Sequence, residues 1–214
     1  MKVLELFAGS RSFSKVAEEF GYKTYTTDNQ NFNKIDQICD IFDFNIDKAI
    51  NALNGYPDIV WASPPCTYFS VASIGHHWNQ DHTPKTKEAI HGVNIIKKTM
   101  QIIDEIYKHN EDLIYIIENP RGKLRKLNLI SPYTMKTVTY CQYGDNRMKP
   151  TDIWTNANWL PKQICKNGDS CHQAAPRGSQ TGTQGLKNDY EKSKVPRGLC
   201  FEILKQITLG KNIK

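Results

Sequence analysis

The chain has 214 residues, 39% of them hydrophobic, and a formal net charge of +6 at neutral pH. A chain of this length buries a sizeable core, and we expect one domain spanning residues 1–214. No apolar run approaches the roughly 18 residues of a membrane-spanning helix, and the first residues do not resemble a signal peptide. We therefore expect no contact with a membrane, and we expect the six cysteines to be reduced thiols of a cytoplasmic protein.

The chain opens with an apolar run from Val3 to Ala8 that ends at Gly9. Apolar residues then recur at helical spacing, which predicts a helix over Arg11–Phe20. A strand, a glycine turn and a helix form the beginning of a nucleotide-type βα unit, in which the backbone approaches a ligand at the helix N-terminus. The turn holds one glycine where the dinucleotide fingerprint needs three, so a nicotinamide or flavin cofactor is not expected.

Acidic residues follow the next two predicted strands. The strand Tyr22–Thr27 ends in Asp28, about twenty residues after the glycine, where an acid commonly accepts hydrogen bonds from ribose hydroxyls. A plain turn-forming role for Asp28 beside Asn29 stays open. The short run Ile38–Ile41 predicts a third strand and places Asp40 at its end, and a helix is predicted over Ile46–Asn54.

A buried strand from Asp58 to Trp61 leads directly into Pro64-Pro65-Cys66. Each proline fixes its φ angle and removes a backbone donor, so the turn is stiff and the cysteine is held in a defined direction. Ligands bind at the carboxyl ends of strands in open α/β sheets. Cys66 is therefore either an inert packed thiol or a nucleophile placed at a ligand site.

The segment from Thr67 to Lys87 is long, polar and irregular. Because it begins at the candidate nucleophile, we interpret it as a lid that closes over substrate. Trp78 within it either stacks on a base or packs in the core. Histidines at positions 76, 77 and 82 suit a metal site as well, but we favour contacts to substrate.

A helix over Lys85–Lys108 and an apolar strand after Leu113 deliver Glu118-Asn119 at another strand end. Charge changes at this point: residues 1–118 carry a net −5 and residues 119–214 a net +11. A basic half favours a polyanionic partner, although a solvated basic surface stays open. The densest basic cluster starts at Arg121 and Lys123, so these two residues are predicted to contact phosphates.

The last third contains strands near residues 133 and 151, a helix over Arg197–Leu209 and an irregular stretch at about 156–193. Within that stretch, Cys165, Cys171 and His172 suggest zinc, with Cys141 or Cys200 as completing ligands. Their spacing is not a standard Cys-x-x-Cys, and no clear fourth ligand follows in the sequence. We therefore expect no metal.

These motifs, in this order, resemble the DNA cytosine-5 methyltransferase family, and the short chain is similar to its bacterial and phage members. Phe7-Ala8-Gly9 matches the first motif, Pro64-Pro65-Cys66 with Ser70 behind it the nucleophile motif, and Glu118-Asn119 the base-binding motif. Tyr143-Gly144 with Arg147 and Lys149 resembles the basic motif. The resemblance implies S-adenosylmethionine as cofactor, held by residues that the family motifs place at Phe7, Ala8, Gly9, Asp28, Asp40, Ile41, Pro64 and Ser193.

The resemblance also implies a reaction and a substrate. Cys66 would add to C6 of a cytosine flipped out of duplex DNA, with Glu118 at N3 and Arg147 or Lys149 at O2 or an adjacent phosphate. The stretch at 156–193 would be a short recognition insertion. The residues implied to contact DNA are Ser70, Trp78, Arg121, Lys123, Arg177, Gln180 and Gln184.

Three functions stay open at this point: methylation of DNA, the same chemistry on RNA, and a non-catalytic relative that binds DNA or a partner protein. A transferred group other than methyl stays open too. The expected fold is α/β and Rossmann-like, with a mostly parallel central sheet and helices on both faces.

Overall fold

The computed structural model describes residues 1–71, 74–174, 186 and 188–211. In this part of the chain, no helix has the length and apolar character needed to cross a bilayer.

A seven-stranded sheet forms the centre of the molecule. Its strands in chain order are β1 (Lys2–Leu6), β2 (Lys23–Asp28), β3 (Gln37–Ile38), β4 (Ile59–Ala62), β5 (Ile114–Pro120), β6 (Met135–Thr139) and β7 (Pro150–Thr155). The spatial order is β3-β2-β1-β4-β5-β7-β6; β7 runs antiparallel to its neighbours β5 and β6, and the other pairs are parallel. The strand order reverses between β1 and β4, which is the position where open α/β sheets bind ligands.

Helices cover both faces of the sheet. They are α1 (Ser12–Glu19), α2 (Ile46–Leu53), α3 (Ile74–His77), α4 (Lys87–His109), α5 (Asp189–Ser193) and α6 (Arg197–Lys211). One buried core contains side chains of α2 and α4. A second core, on the opposite face, contains side chains of α1 and α6. The α/β fold with a mostly parallel sheet is therefore confirmed.

The third strand is shorter than predicted. It ends at Ile38, because the Asp40 side chain accepts a hydrogen bond from the Phe42 N–H at 3.0 Å and caps a 3-10 helix over Ile41–Asp43. Asp40 therefore lies in the turn after the strand, still at the carboxyl edge of the sheet.

The segment after Cys66 is also more ordered than the irregular lid predicted for it. It contains the short helix α3, and Thr86 caps α4 by accepting from the Ala89 N–H at 3.2 Å.

Candidate active site

A cleft of about 1140 Å³ lies over the carboxyl ends of β1, β2, β4 and β5. It brings together all four predicted catalytic residues and all eight predicted cofactor residues. Those lining residues are Phe7, Ala8, Gly9, Asp28, Asp40, Ile41, Pro64, Cys66, Glu118, Arg147, Lys149 and Ser193. Ser70 and Arg121, predicted to contact DNA, line the same cleft.

The turn after β1 is held by the acid at the end of β2. The Gly9 N–H donates to Asp28 Oδ2 at 2.9 Å, and Asp28 Oδ1 accepts from the Gln30 N–H at 2.9 Å. Gly9 has a φ of 45°, in the left-handed region that glycine adopts most readily. Each carboxylate oxygen can accept a further hydrogen bond, so Asp28 serves the turn and stays available to a ligand.

The first turn of α1 is held by Glu5, a buried acid for which no role was predicted. Glu5 accepts from the backbone N–H groups of Phe13 at 3.2 Å and Ser14 at 2.8 Å. Burial raises the pKa of this carboxyl despite those hydrogen bonds. The sequence signal for this role was an acid between apolar neighbours in β1, because a carboxyl group in a buried strand needs a hydrogen-bond donor.

The nucleophile turn is fixed by the motif on the neighbouring strand. Asn119 is fully buried and its Nδ2 donates to the Pro64 carbonyl at 2.9 Å. The Ser63 hydroxyl accepts from Trp61 Nε1 at 2.8 Å, and the Phe69 N–H donates to the Cys66 carbonyl at 2.9 Å. The half-buried Cys66 therefore stands on a turn held from both sides.

A glycine brings a third segment against the same turn. A Cβ at Gly122 would lie 2.2 Å from the Phe69 carbonyl oxygen, closer than any side chain tolerates. The neighbouring Lys123 N–H donates to that oxygen at 2.7 Å. Only glycine lets the segment after β5 close on the turn that carries Cys66.

Glu118 is buried, with 5% of its surface exposed, and it accepts from the Tyr140 hydroxyl at 2.8 Å. Burial, and then the nearby Glu118, raise the pKa of the Tyr140 phenol well above its usual value, so this hydroxyl stays a donor. Tyr140 belongs to no sequence motif and was not predicted to be part of the site.

The two predicted cations differ in their surroundings. The Arg147 guanidinium donates to both Asp145 oxygens at 2.5–3.1 Å, and its longer contacts reach the carbonyls of Lys192 at 3.3 Å and Lys194 at 3.5 Å. Lys149 Nζ lies 4.7 Å from the Tyr140 ring centroid and donates to the Lys192 carbonyl at 3.0 Å. Arg147 is a clamp within the protein, whereas Lys149 lies beside the Tyr140–Glu118 pair.

Two predicted DNA contacts are corrected. Trp78 is 4% exposed, packs 5.7 Å from the Phe69 ring centroid and donates from Nε1 to the Tyr68 carbonyl at 2.7 Å. Lys123 is equally buried, and its Nζ lies 2.7 Å from His82 Nδ1. Neither side chain faces the solvent, because both complete the packing beneath the Cys66 turn.

The other predicted DNA contacts differ in their status. Arg121 is exposed at the cleft. Arg177, Gln180 and Gln184 lie outside the described residues, and their roles stay predictions.

No family model matches the chain. It is 28% identical over 177 residues to a protein of Frog virus 3 (isolate Goorha) named "Probable DNA (cytosine-5)-methyltransferase", covering 80% of this chain and 78% of that protein. A solved structure of a Spodoptera frugiperda DNMT2 mutant matches with 16% identity and a TM-score of 0.46. That match covers 78% of this chain, which spans only 56% of the DNMT2 chain. The viral match confirms the resemblance predicted from the motifs: the chain is similar to a protein that is named as a probable DNA cytosine-5 methyltransferase.

Proposed function

We propose that the protein transfers a methyl group to C5 of cytosine in DNA. The observation that carries this proposal is the convergence of Cys66, Glu118 and Lys149 with the turn at Gly9 in one cleft. The viral relative of similar sequence carries the name of this activity.

The cofactor that this reaction needs is S-adenosylmethionine, and the residues of the cleft fit it. The cleft is lined by the backbone at Gly9, by carboxylates at Asp28 and Asp40, and by apolar groups at Phe7 and Ile41. Carboxylates suit ribose hydroxyls, and apolar side chains suit the faces of an adenine ring. When bound, the cofactor supplies an electrophilic methyl group to the activated C5 carbon.

Cys66 carries the first step, because C5 of cytosine is by itself a weak nucleophile. The Cys66 thiolate adds to C6, and the electron pair of the C5–C6 bond becomes available at C5. Elimination closes the reaction: the proton leaves C5, the C5–C6 double bond forms again and the thiolate is released. A base atom inside a stacked duplex cannot be reached by Cys66, so the cytosine has to be flipped out.

Glu118 is placed to balance the charge that addition creates. The Glu118 carboxyl shares a proton with N3 of the base, while its Oε1 oxygen accepts from the Tyr140 hydroxyl. Lys149 stabilises negative charge at the base O2 or at a neighbouring phosphate, since it lines the same cleft and its ammonium lies 4.7 Å from the Tyr140 ring centroid.

The recognition segment at about 156–193 offers few side chains to the major groove. Each bidentate base contact discriminates by about 1–3 kcal/mol. We therefore propose a short recognition sequence, on the order of two to four base pairs, with a separate targeting partner as the alternative. We also propose a cytoplasmic location, where the six cysteines would stay reduced thiols.

The test is mass spectrometry of nucleosides after reaction with S-adenosylmethionine, with duplex DNA and tRNA as parallel substrates. We expect 5-methyldeoxycytidine in the DNA. Methylation confined to tRNA would move the activity to RNA, and no product from either would favour a non-catalytic relative.

A further inference from the structure

A cluster of metal-binding side chains lies outside the proposed reaction. Cys141, Cys165, Cys171 and His172 each offer one ligand atom, and these four atoms lie within 4.8 Å of one another. The residues come from two parts of the chain: Cys141 from the 3-10 helix Tyr140–Tyr143 after β6, and the other three from the irregular segment after β7.

We propose that these four residues bind a structural zinc ion that fastens the segment 156–174 to the 3-10 helix Tyr140–Tyr143. Sequence spacing offered both Cys141 and Cys200 as the fourth ligand. The fold brings Cys141 to the site, whereas Cys200 lies in the core between α6 and the sheet.

Three of the ligand-to-ligand distances match tetrahedral zinc, and a fourth, between Cys141 Sγ and Cys165 Sγ, is shorter. Bonds of about 2.3 Å to sulfur and about 2.0–2.1 Å to nitrogen set the ligand atoms of a tetrahedron roughly 3.6–3.8 Å apart. His172 Nδ1 lies 3.7 Å from Cys165 Sγ and 3.6 Å from Cys171 Sγ, and Cys171 Sγ lies 3.6 Å from Cys141 Sγ. The separation of 3.1 Å between Cys141 Sγ and Cys165 Sγ is far longer than the roughly 2.05 Å of a disulfide bond.

The surroundings orient the ligands. Gln142 Nε2 donates to Cys171 Sγ at 3.4 Å, and the Cys165 N–H donates to Thr139 Oγ1 at 3.1 Å. Asp169 accepts from the Lys166 N–H at 2.7 Å, which closes the turn between the second and third cysteines. Hydrogen bonds of this kind to ligands and their backbone are typical of structural metal sites.

Three cysteines and a histidine leave no open position for a substrate, so the ion is structural rather than catalytic. It would stabilise contacts that already join the two parts of the chain. The Lys162 N–H donates to the Tyr143 hydroxyl at 2.9 Å, and the Gln173 N–H donates to the Asn146 carbonyl at 2.9 Å. The metal thereby holds the first part of the predicted recognition segment beside the Asp145–Arg147 pair.

The test is the metal content of the full chain, purified under reducing conditions without chelators and measured by elemental mass spectrometry. We expect roughly one zinc ion per chain, and loss to background in Cys171→Ser. The control is Cys66→Ser, which changes a half-buried thiol outside the cluster and should abolish methylation and retain the zinc. Zinc content therefore tests the metal site independently of the proposed methyltransferase activity.

Cobalt substitution of the wild-type chain decides the case if Cys171→Ser fails to fold. We expect the absorption of tetrahedral cobalt with strong thiolate-to-metal charge transfer. A metal-free wild-type chain, a zinc content unchanged in Cys171→Ser, or cobalt without thiolate absorption would each overturn the proposal.

Discussion

At the scale of single residues, the cleft distinguishes two cations that the sequence motif presents as equivalent. Arg147 is 5% exposed and engaged by the Asp145 carboxylate. The hydrogen bonds that Arg147 donates to Asp145 raise the pKa of its guanidinium. Lys149 has a φ of 29°, a backbone conformation uncommon for a lysine, and its ammonium lies over the Tyr140 ring. Strained residues of this kind gather at functional sites.

The two variants should therefore differ in what they lose. Lys149→Ala should keep the wild-type melting temperature and weaken transition-state stabilisation by about 1–3 kcal/mol, the value of one hydrogen bond from a charged group. Arg147→Ala should lower the melting temperature, because it leaves the half-buried Asp145 carboxylate without its partner. Steady-state kinetics and thermal unfolding measure both effects; a stable Arg147→Ala protein beside a fully active Lys149→Ala enzyme would refute the assignment.

The Arg147–Asp145 pair also predicts a pH dependence. Burial raises the pKa of the Asp145 carboxyl, but hydrogen bonds from Arg147 more than offset this and hold that pKa below its usual value. A lowered pKa in the folded state adds stability above the ordinary value of about 3.9, and this stability is lost as the pH falls through the lower folded value.

Asp145→Asn removes that titration. We expect the free energy of unfolding of the variant to be lower at neutral pH and to change less than that of the wild type in the acid range. Urea unfolding between neutral pH and the acid range measures this difference, and two parallel curves would contradict it.

At the scale of elements, the turn after β4 depends on its neighbours. The turn that carries Cys66 is held by Asn119 of β5 and by the segment at Gly122, which approaches the Phe69 carbonyl. The site is thus positioned by contacts between turns, and a change in one turn should reach Cys66.

Gly122→Ala tests this dependence. The added Cβ meets a backbone oxygen at 2.2 Å, so the two turns have to separate and Cys66 moves from its position over the cleft. Displacement of about 1 Å can cost on the order of a hundredfold in rate. We expect that loss in methylation, with cofactor affinity retained because the turn at Gly9 is untouched.

The matched control is Gly210→Ala in α6, where a Cβ meets nothing within 4 Å. That variant should keep wild-type activity. A Gly122→Ala enzyme as active as this control would show that the close approach does not position the nucleophile.

Most of the elements were predictable because their signals are local. The amphipathic spacing of α1 and the apolar runs of β1, β4 and β5 appear within a few residues of sequence. The predicted ends of the helices lie within two residues of those observed. β3 was overextended because a single capping aspartate, Asp40, starts a 3-10 helix there.

The site was less predictable wherever burial decides the role of a side chain. Trp78 and Lys123 stand in polar surroundings in the sequence, yet both are buried by contacts with residues distant along the chain. Tyr140 reaches Glu118 across 22 residues, which no motif records. Spacing alone could not choose Cys141 over Cys200, since the choice depends on where the 3-10 helix meets the later segment.

At the scale of the whole molecule, the basic second half bears on how DNA is bound. The basic side chains after Glu118 differ in exposure. Arg121 and Lys126 are exposed, whereas Lys123 is buried and Arg125 forms an ion pair with the fully buried Asp152. Phosphate contacts from this cluster are therefore expected from Arg121 and Lys126 only.

DNA binding should weaken steeply with salt, because each neutralised phosphate releases counterions. Arg121→Ala should make the slope of log K against log salt shallower by about 0.9, the value of one lost phosphate contact. Lys108→Ala is the control: this exposed lysine lies at the end of α4 remote from the cleft and should leave the slope unchanged. Equal slopes for wild type and Arg121→Ala would refute the contact.

The most direct test of the account is to trap the Cys66 adduct on duplex DNA that carries 5-fluorocytosine. Fluorine cannot leave C5 as a cation, so elimination stops and the C6–sulfur bond should persist. We predict a denaturation-resistant protein–DNA complex that forms only with S-adenosylmethionine, maps by peptide mass spectrometry to Cys66 and is absent in Cys66→Ala. A complex that survives the Cys66→Ala substitution, or unmodified Cys66 in an enzyme that methylates ordinary DNA, would contradict the account.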